Sequence, residues 1–383
     1  MSLNRMEMTR RVFRDADTGR EVWQVTDGEF ECVPPYVHKC AFSSDDRHVV
    51  FMCNCDGSWQ PYRLDLATGK TAQLAQVKDA GFLSVATAPA TDEGYCWDDH
   101  GFVAVDLATL AARRAVDFGE RLPTTDRAGR LATLNRAGTL ALTTRHGVDG
   151  GPDVLLIAAT DGSNRVSEVR LPRADIRAGH EQFCPGDDNV VSLCNGNDHQ
   201  NDPAAEPARR VREWRIRRDT GELKPLAFMP PGFRATHCAW GPSGDRFYFH
   251  RKTVPNWLPT ALCSVDREGG DFRVHYETSA HRLGHSAASP DEQWLVTDSQ
   301  DDNRNLLMLV HLQQDRQIVL CWPNASIDST RPDRRLPNLP PHKHRHTHPA
   351  FSNTGRYVVF GSDVSGRTQV YIVPVGDILG VRA

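Results

Sequence analysis

No stretch of the chain approaches the roughly 20 consecutive apolar residues that a bilayer span needs. The opening "MSLNRMEMTRRVF" also lacks the continuous apolar core of a secretory leader. Together these absences predict a soluble, cytoplasmic protein with no membrane partner. An excess of one charge is missing too: 45 basic residues against 49 acidic leave a net charge of −4. That balance gives no global field for nucleic acid or an anionic membrane, so an anionic ligand must be met by a local cluster. The ten cysteines fall at irregular spacings with no CxxC pair, which predicts reduced thiols rather than a disulfide frame. No GxSxG nucleophile segment occurs, and no linker divides the chain into independent β units. A hydrolase with a separate catalytic domain is therefore excluded, and a single domain over residues 1–383 is expected.

What is present is a repeat. "CAFSSDDRHVVFMC" near Phe42 and "HPAFSNTGRYVVFGSD" near Phe351 share a large apolar anchor, a polar turn, and then a β-branched and aromatic strand. The same order recurs at Phe183, Trp240 and Ala288, and more weakly at Ala88 and Leu134. Anchors at 42, 88, 134, 183, 240, 288 and 351 are spaced by 46, 46, 49, 57, 48 and 63 residues. One four-stranded propeller blade takes roughly 40 to 50. The two long gaps hold turn-rich insertions, 195–210 and 323–341, expected as loops on one rim. The fold class predicted is all-β, a seven-bladed β-propeller. Its last unit stops after "QVYIVPVGD", one strand short, and the N-terminal "REVWQVTDG" has the pattern to supply that strand and close the ring.

Histidine is placed in register with these repeats. Three positions before the anchors stand His180, His237, His285 and His348, with Lys39 next to His38 in the first blade and Val85 and Leu131 in the next two. The first strand of each blade lines the central channel, so one station in several blades converges on the axis. A single such histidine would be a channel residue satisfied by water or backbone; four at one station make a site for a transition metal. In "HKHRHTHPAF" every second residue is His, and alternate residues of an extended segment share a face. His346 and His348 then join His285 as three convergent nitrogens with positions left open for ligand or water. His342 and His344 lie further toward the rim, facing solvent.

The pieces "TGREVWQVTDG", "YVHKCAFSSDDRHVVF", "VREW", "THCAWGPSGD", "GHSAASPDEQWLVTD" and "HTHPAFSNTGRYVVFGSD" together resemble the oligogalacturonate lyases, polysaccharide lyase family 22, over nearly the whole length. The resemblance implies β-elimination on short α-1,4-linked galacturonides in cytosolic pectin breakdown, with Mn²⁺ as the usual metal and another divalent transition metal as the alternative. It assigns His285, His346 and His348 to the metal, His237 to the Brønsted base, and Arg212 to the arginine beside it. The family's glutamine ligand is replaced here by Lys343, whose ammonium has no lone pair to give. The resemblance leaves the fourth position to His344 after a small shift of the strand, to water, or to nothing.

The chemistry calls for these residue types. Taking a proton from C5, beside a carboxylate, builds a second negative charge, which a Lewis-acidic metal and an arginine fork would offset. A neutral histidine near pH 7 is a suitable base, and nearby cations keep it neutral. His180, Lys39, Arg251 and Lys252 are the further candidates for holding uronate carboxylates. Two rival readings remain at this point: a metal-assisted lyase acting on another uronate, and a non-catalytic platform, since fold alone does not fix function.

Overall fold

Five of the seven anchors close or immediately follow the innermost strand of their own antiparallel sheet, and the other two, Phe42 and Leu134, bridge to the next strand through Phe42↔Val49 and Leu134↔Ala141. The computed structural model describes residues 4–381 apart from 78–80, 82–83, 99, 124–132, 197, 201, 203, 302–303 and 327–345. Innermost strands include Cys32–Val33, Val85–Thr87, Ala178–Cys184, Phe233–Trp240, Leu283–Ala288 and Ala350–Phe351. In the third blade the inner position is marked by the Leu134↔Ala141 bridge beside Leu140–Arg145, and Leu131 lies outside the described residues. The polar turn after each anchor closes through side chains. Ser43 Oγ donates to Asp45 Oδ1 (2.7 Å) and accepts from His48 N (2.9 Å), and Ser289 does the same with Asp291 and Trp294. Such Ser and Asp side chains satisfy backbone groups that a tight turn leaves free.

Seven apolar clusters hold the sheets together, each shared by two neighbouring blades. Every central strand is thus covered on both faces, which is why His48–Cys53 and Trp294–Ser299 are buried at every position and show no polar alternation. The result is the seven-bladed propeller that the anchor spacing predicts. Among the described residues, no helix is long and apolar enough to cross a membrane, and all ten cysteines are free.

The ring is closed by the N-terminal segment, as its pattern suggests, but with more strands than the sequence indicated. Glu21–Gln24 pairs with Gln369–Pro374 through Tyr371↔Gln24 and Ile372↔Trp23, supplying the missing strand of blade seven. Arg11–Arg14 then adds a fifth strand outside it, and Arg5–Glu7 crosses to blade one as a fifth strand on Lys70–Gln73. Val22, 2 % exposed, packs with Trp294, Phe351 and Tyr371 between blades six and seven. Val22→Asp is expected to cost ~3 kcal/mol or more, because an unpaired carboxylate would be buried at the closing seam. Urea unfolding checks this, and an unchanged midpoint would show that the seam does not hold the ring.

Candidate active site

The innermost strands deliver the histidines by bending. Register slips interrupt the pairing between Gly179 and Gln182, Thr236 and Ala239, and Leu283 and Ser286, so each strand carries a bulge at its histidine. His180, His237 and His348 adopt left-handed backbone angles, φ of 51°, 51° and 44°. That region is unfavourable for a residue with a Cβ, by about 1–3 kcal/mol each, and tends to be retained where it aims a functional side chain. Here it turns the imidazoles toward the hub.

Three of them form a tight group. Ligand nitrogens of His285, His346 and His348 all lie within 4.8 Å of one another. The ring centroids are 4.4 Å apart for His285 and His348, and 5.5 Å for His346 with either. His285 Nδ1 lies 3.1 Å from Asp298 Oδ2, and its backbone N–H donates to Oδ1 at 2.5 Å. Burial pushes the Asp298 carboxyl upward, but the facing His285 imidazole and its hydrogen bonds hold it below the usual range. An ionised carboxylate only accepts, so Nδ1 carries the proton and Nε2 keeps its lone pair. Thr347 Oγ1 donates to the same carboxylate, tying the segment between His346 and His348 to blade six. Gly284 makes room for this: a Cβ there would sit 2.3 Å from Asp298 Oδ1. His348 Nδ1 is buried with no hydrogen-bond partner among the described residues. An orphaned ring nitrogen inside three gathered imidazoles backed by a carboxylate fits a divalent transition metal.

His237 stands beside this group, its ring 4.3 Å from that of His285. Its Nδ1 meets the Gly284 carbonyl at 2.5 Å, so Nδ1–H donates and Nε2 is left as a lone pair. Burial, then the neighbouring His285 and Lys252, hold its pKa well below the ordinary value, leaving a neutral imidazole. Arg212 is anchored by Asp198 (2.9 Å) and Glu213 (3.3 Å). Burial opposes its charge, but Glu213 and Asp198 help hold it firmly protonated. Asp198 belongs to the 195–210 insertion, whose Gln200 also bonds both backbone groups of Ala235 (2.7 and 3.3 Å), so this loop packs onto blade five next to the strand bearing His237.

The remaining candidates divide. His180 joins the hub, 5.3 Å from the Tyr36 ring. Lys252 is fully buried under Trp257 (4.4 Å to the ring centroid), and burial pushes its ammonium down to about 7. Arg251 projects from the opposite face of that strand, over Phe233 and paired with Glu277. Lys39 donates to Thr133 Oγ1 at 2.5 Å and lines a cavity of about 120 Å³ with Asn135, Phe183, Pro185 and Trp240. His344, His342 and Lys343 lie outside the described residues.

Two site residues escaped the sequence reading. Asp298 looks like any polar strand end in "WLVTDS", although an acid in a strand with no exposed position is a signal. Tyr36 lies across the hub, its ring 4.8 Å from His348, 4.9 Å from His38 and 5.8 Å from His285. The chain turns at Val37–His38, with Lys39 N donating to the Tyr36 carbonyl at 2.7 Å, so strand alternation does not reveal Tyr36 from the sequence.

The buried imidazoles set a pH dependence of stability. Burial holds His38, His237 and His348 well below the ordinary value, and His250 at about 3. Unfolded, each binds a proton below about 6.5, whereas folded each resists. Stability present above about pH 6.5 is therefore lost as pH falls toward 3. Carboxylates such as Asp153, held down to about 2, stay ionised through the upper part of this window. The urea midpoint of the metal-free protein is expected to drop between pH 7 and pH 5; a midpoint that held or rose would contradict the burial of neutral histidines.

Comparison with known proteins agrees with the resemblance found in the blade motifs. The family profile for oligogalacturonate lyase matches residues 2–121. An oligogalacturonide lyase of Pectobacterium atrosepticum is 23% identical over 405 aligned positions, covering 98% of this chain and 98% of that one. An oligogalacturonate lyase of Dickeya dadantii is 23% identical, covering 95% and 96%. Among solved structures, an oligogalacturonate lyase in complex with manganese superposes with a TM-score of 0.81 at 19% identity, covering 97% of this chain and 98% of that one. One from Vibrio parahaemolyticus gives 0.81 at 18%, covering 98% and 99%. The two structures share the seven-bladed fold with this chain.

Proposed function

We propose, on the premise that this chain is a whole-length relative of the oligogalacturonate lyases and a lyase as they are, that it cleaves short α-1,4-linked oligogalacturonides by β-elimination, leaving 4,5-unsaturated uronates. One observation carries the reading: a neutral imidazole, His237, with Nδ1–H committed to the Gly284 carbonyl and Nε2 free, stands against a group of three metal-type histidines. A base and a carboxylate-neutralising centre are the two things this elimination needs side by side.

His285, His346 and His348 would hold the metal, manganese by analogy with the solved relative's complex. When bound, that ion supplies Lewis acidity toward the uronate carboxylate. The chain's own groups do the rest. Asp298 keeps His285 in the tautomer that presents Nε2 to the hub. Arg212, fixed by Asp198 and Glu213, offers positive charge where the enolate forms. His237 Nε2 takes the C5 proton, and its depressed basicity keeps it ready to do so at neutral pH. Ten free thiols suit a cytoplasmic setting.

A second reading, a lyase for a different uronide, is favoured by the 195–210 loop packed against blade five beside Arg212. Ultraviolet absorbance of the new C4–C5 double bond, followed with trigalacturonate and with other uronides before and after chelation, separates these readings. A rise with trigalacturonate that chelation abolishes is expected. A rise only with another uronide supports the second reading, and none on any uronide with metal present sinks both in favour of a binding platform.

A further inference from the structure

An α-1,4-galacturonide carries a carboxylate on every ring, and the elimination engages only the one beside the C5 that is attacked. The carboxylate across the scissile bond needs a counter-charge of its own, and blade five holds an ammonium without one. Lys252 is fully buried, and its Nζ has no hydrogen-bond partner among the described residues. Asp298, the acid that acts on it, is already committed to His285 and Thr347. A buried charged group without a partner is costly, so one kept beside a site invites an anionic ligand.

We propose that Lys252 and Arg234 form a subsite for the carboxylate of the uronate across the scissile bond from the ring that loses its C5 proton; this rests on the lyase reading above. The two residues stand directly opposite each other on Arg246–Thr253 and Phe233–Trp240, the latter the strand that carries His237, so their side chains share one face of the blade. The indole of Trp257 lies against both, its ring centroid 4.4 Å from Lys252 Nζ and 5.7 Å from the Arg234 guanidinium carbon. The pair adjoins the reacting centre: Arg234 feels the charge of Arg212, and His237 that of Lys252.

Trp257 holds the place of the anion. An aromatic face holds a cation more weakly than a carboxylate bonded to an ammonium and a guanidinium together. The indole is 36 % exposed, on a residue with a left-handed backbone, φ 67°, so it is held at the surface under strain and yields its place to that carboxylate. Burial, with Arg234 and Arg282 adding to it, pushes the Lys252 ammonium down to about 7, and an anion beside it restores the charge.

Digalacturonate separates the two carboxylates, because only its reducing-end ring carries the glycosidic bond on O4 and can eliminate. The test compares native protein with Lys252→Met on digalacturonate and on the same sugar methyl-esterified at its non-reducing ring. Methionine keeps the buried stem and drops the charge, so the urea midpoint of the variant should match or exceed that of native protein. Native protein is expected to favour the free acid over the ester by about 10- to 10²-fold in kcat/KM. Lys252→Met should lose that factor on the acid, stay within a few-fold of native on the ester, and keep its metal; Arg234→Gln should show the same split. Equal losses on both sugars would mean that Lys252 acts through His237 and overturn the subsite, as would native turnover that does not distinguish acid from ester. Native protein inactive on both sugars and on trigalacturonate would instead sink the lyase reading, and the subsite with it.

Discussion

His237→Ala is expected to lower kcat on trigalacturonate by about 10²- to 10⁴-fold while leaving bound metal unchanged. The loss follows from its place: with Nδ1–H held on the Gly284 carbonyl, Nε2 is the lone pair beside the three-histidine group. The metal should stay, because the three nitrogens that would hold it come from blades six and seven and their carboxylate support from Asp298, and blade five contributes none of them. Steady-state kinetics with elemental analysis of the purified variant checks both halves. Turnover near the native value would refute the assigned base. Loss of metal together with activity would place His237 among the ligands.

His348→Ala should remove metal and turnover together. This residue is one of the three imidazoles of the tight group, its Nδ1 has no other partner among the described residues, and its neighbour Thr347 is fastened to Asp298. Loss of an outer partner such as Asp298 typically weakens a metal site 10- to 100-fold, and loss of a ligand should exceed that. Turnover is expected to fall by at least ~10²-fold, since the second negative charge on the substrate would be left to Arg212 alone. Excess manganese should restore little of it, and nothing at all to His237→Ala. Full activity of a metal-free His348→Ala protein would show that the carboxylate is neutralised by other means.

Much of this was open to a reader of the chain. The seven anchors sit where strands begin and end because turn chemistry and strand preference are local, and local signals survive in one sequence. The station rule located His180, His237, His285 and His348 because equivalent inner-strand positions come to similar heights on the axis. It failed where a side chain's meaning depends on another strand. Asp298 matters through His285 and Thr347, and Lys39 through Thr133, and none of these pairs is adjacent in sequence. Strands covered on both faces also lose the polar alternation that would say which way a residue such as Arg251 or Lys252 points. Their neighbours Glu277 and Trp257 decide that.

The first two dozen residues are shared between both sides of the closing seam: Arg5–Glu7 lies on blade one, while Arg11–Arg14 and Glu21–Gln24 complete blade seven. Glu21–Gln24 is made early, yet its partner strand Gln369–Pro374 follows more than 340 positions later. A nascent chain therefore carries the apolar Val22 and Trp23 without their blade-seven partners until that strand is made, and such distant pairing is slow to form. The hub histidines of blades six and seven cannot be drawn against Tyr36 of blade one before that moment, so competence to bind metal should arrive last, in one step, with the final blade.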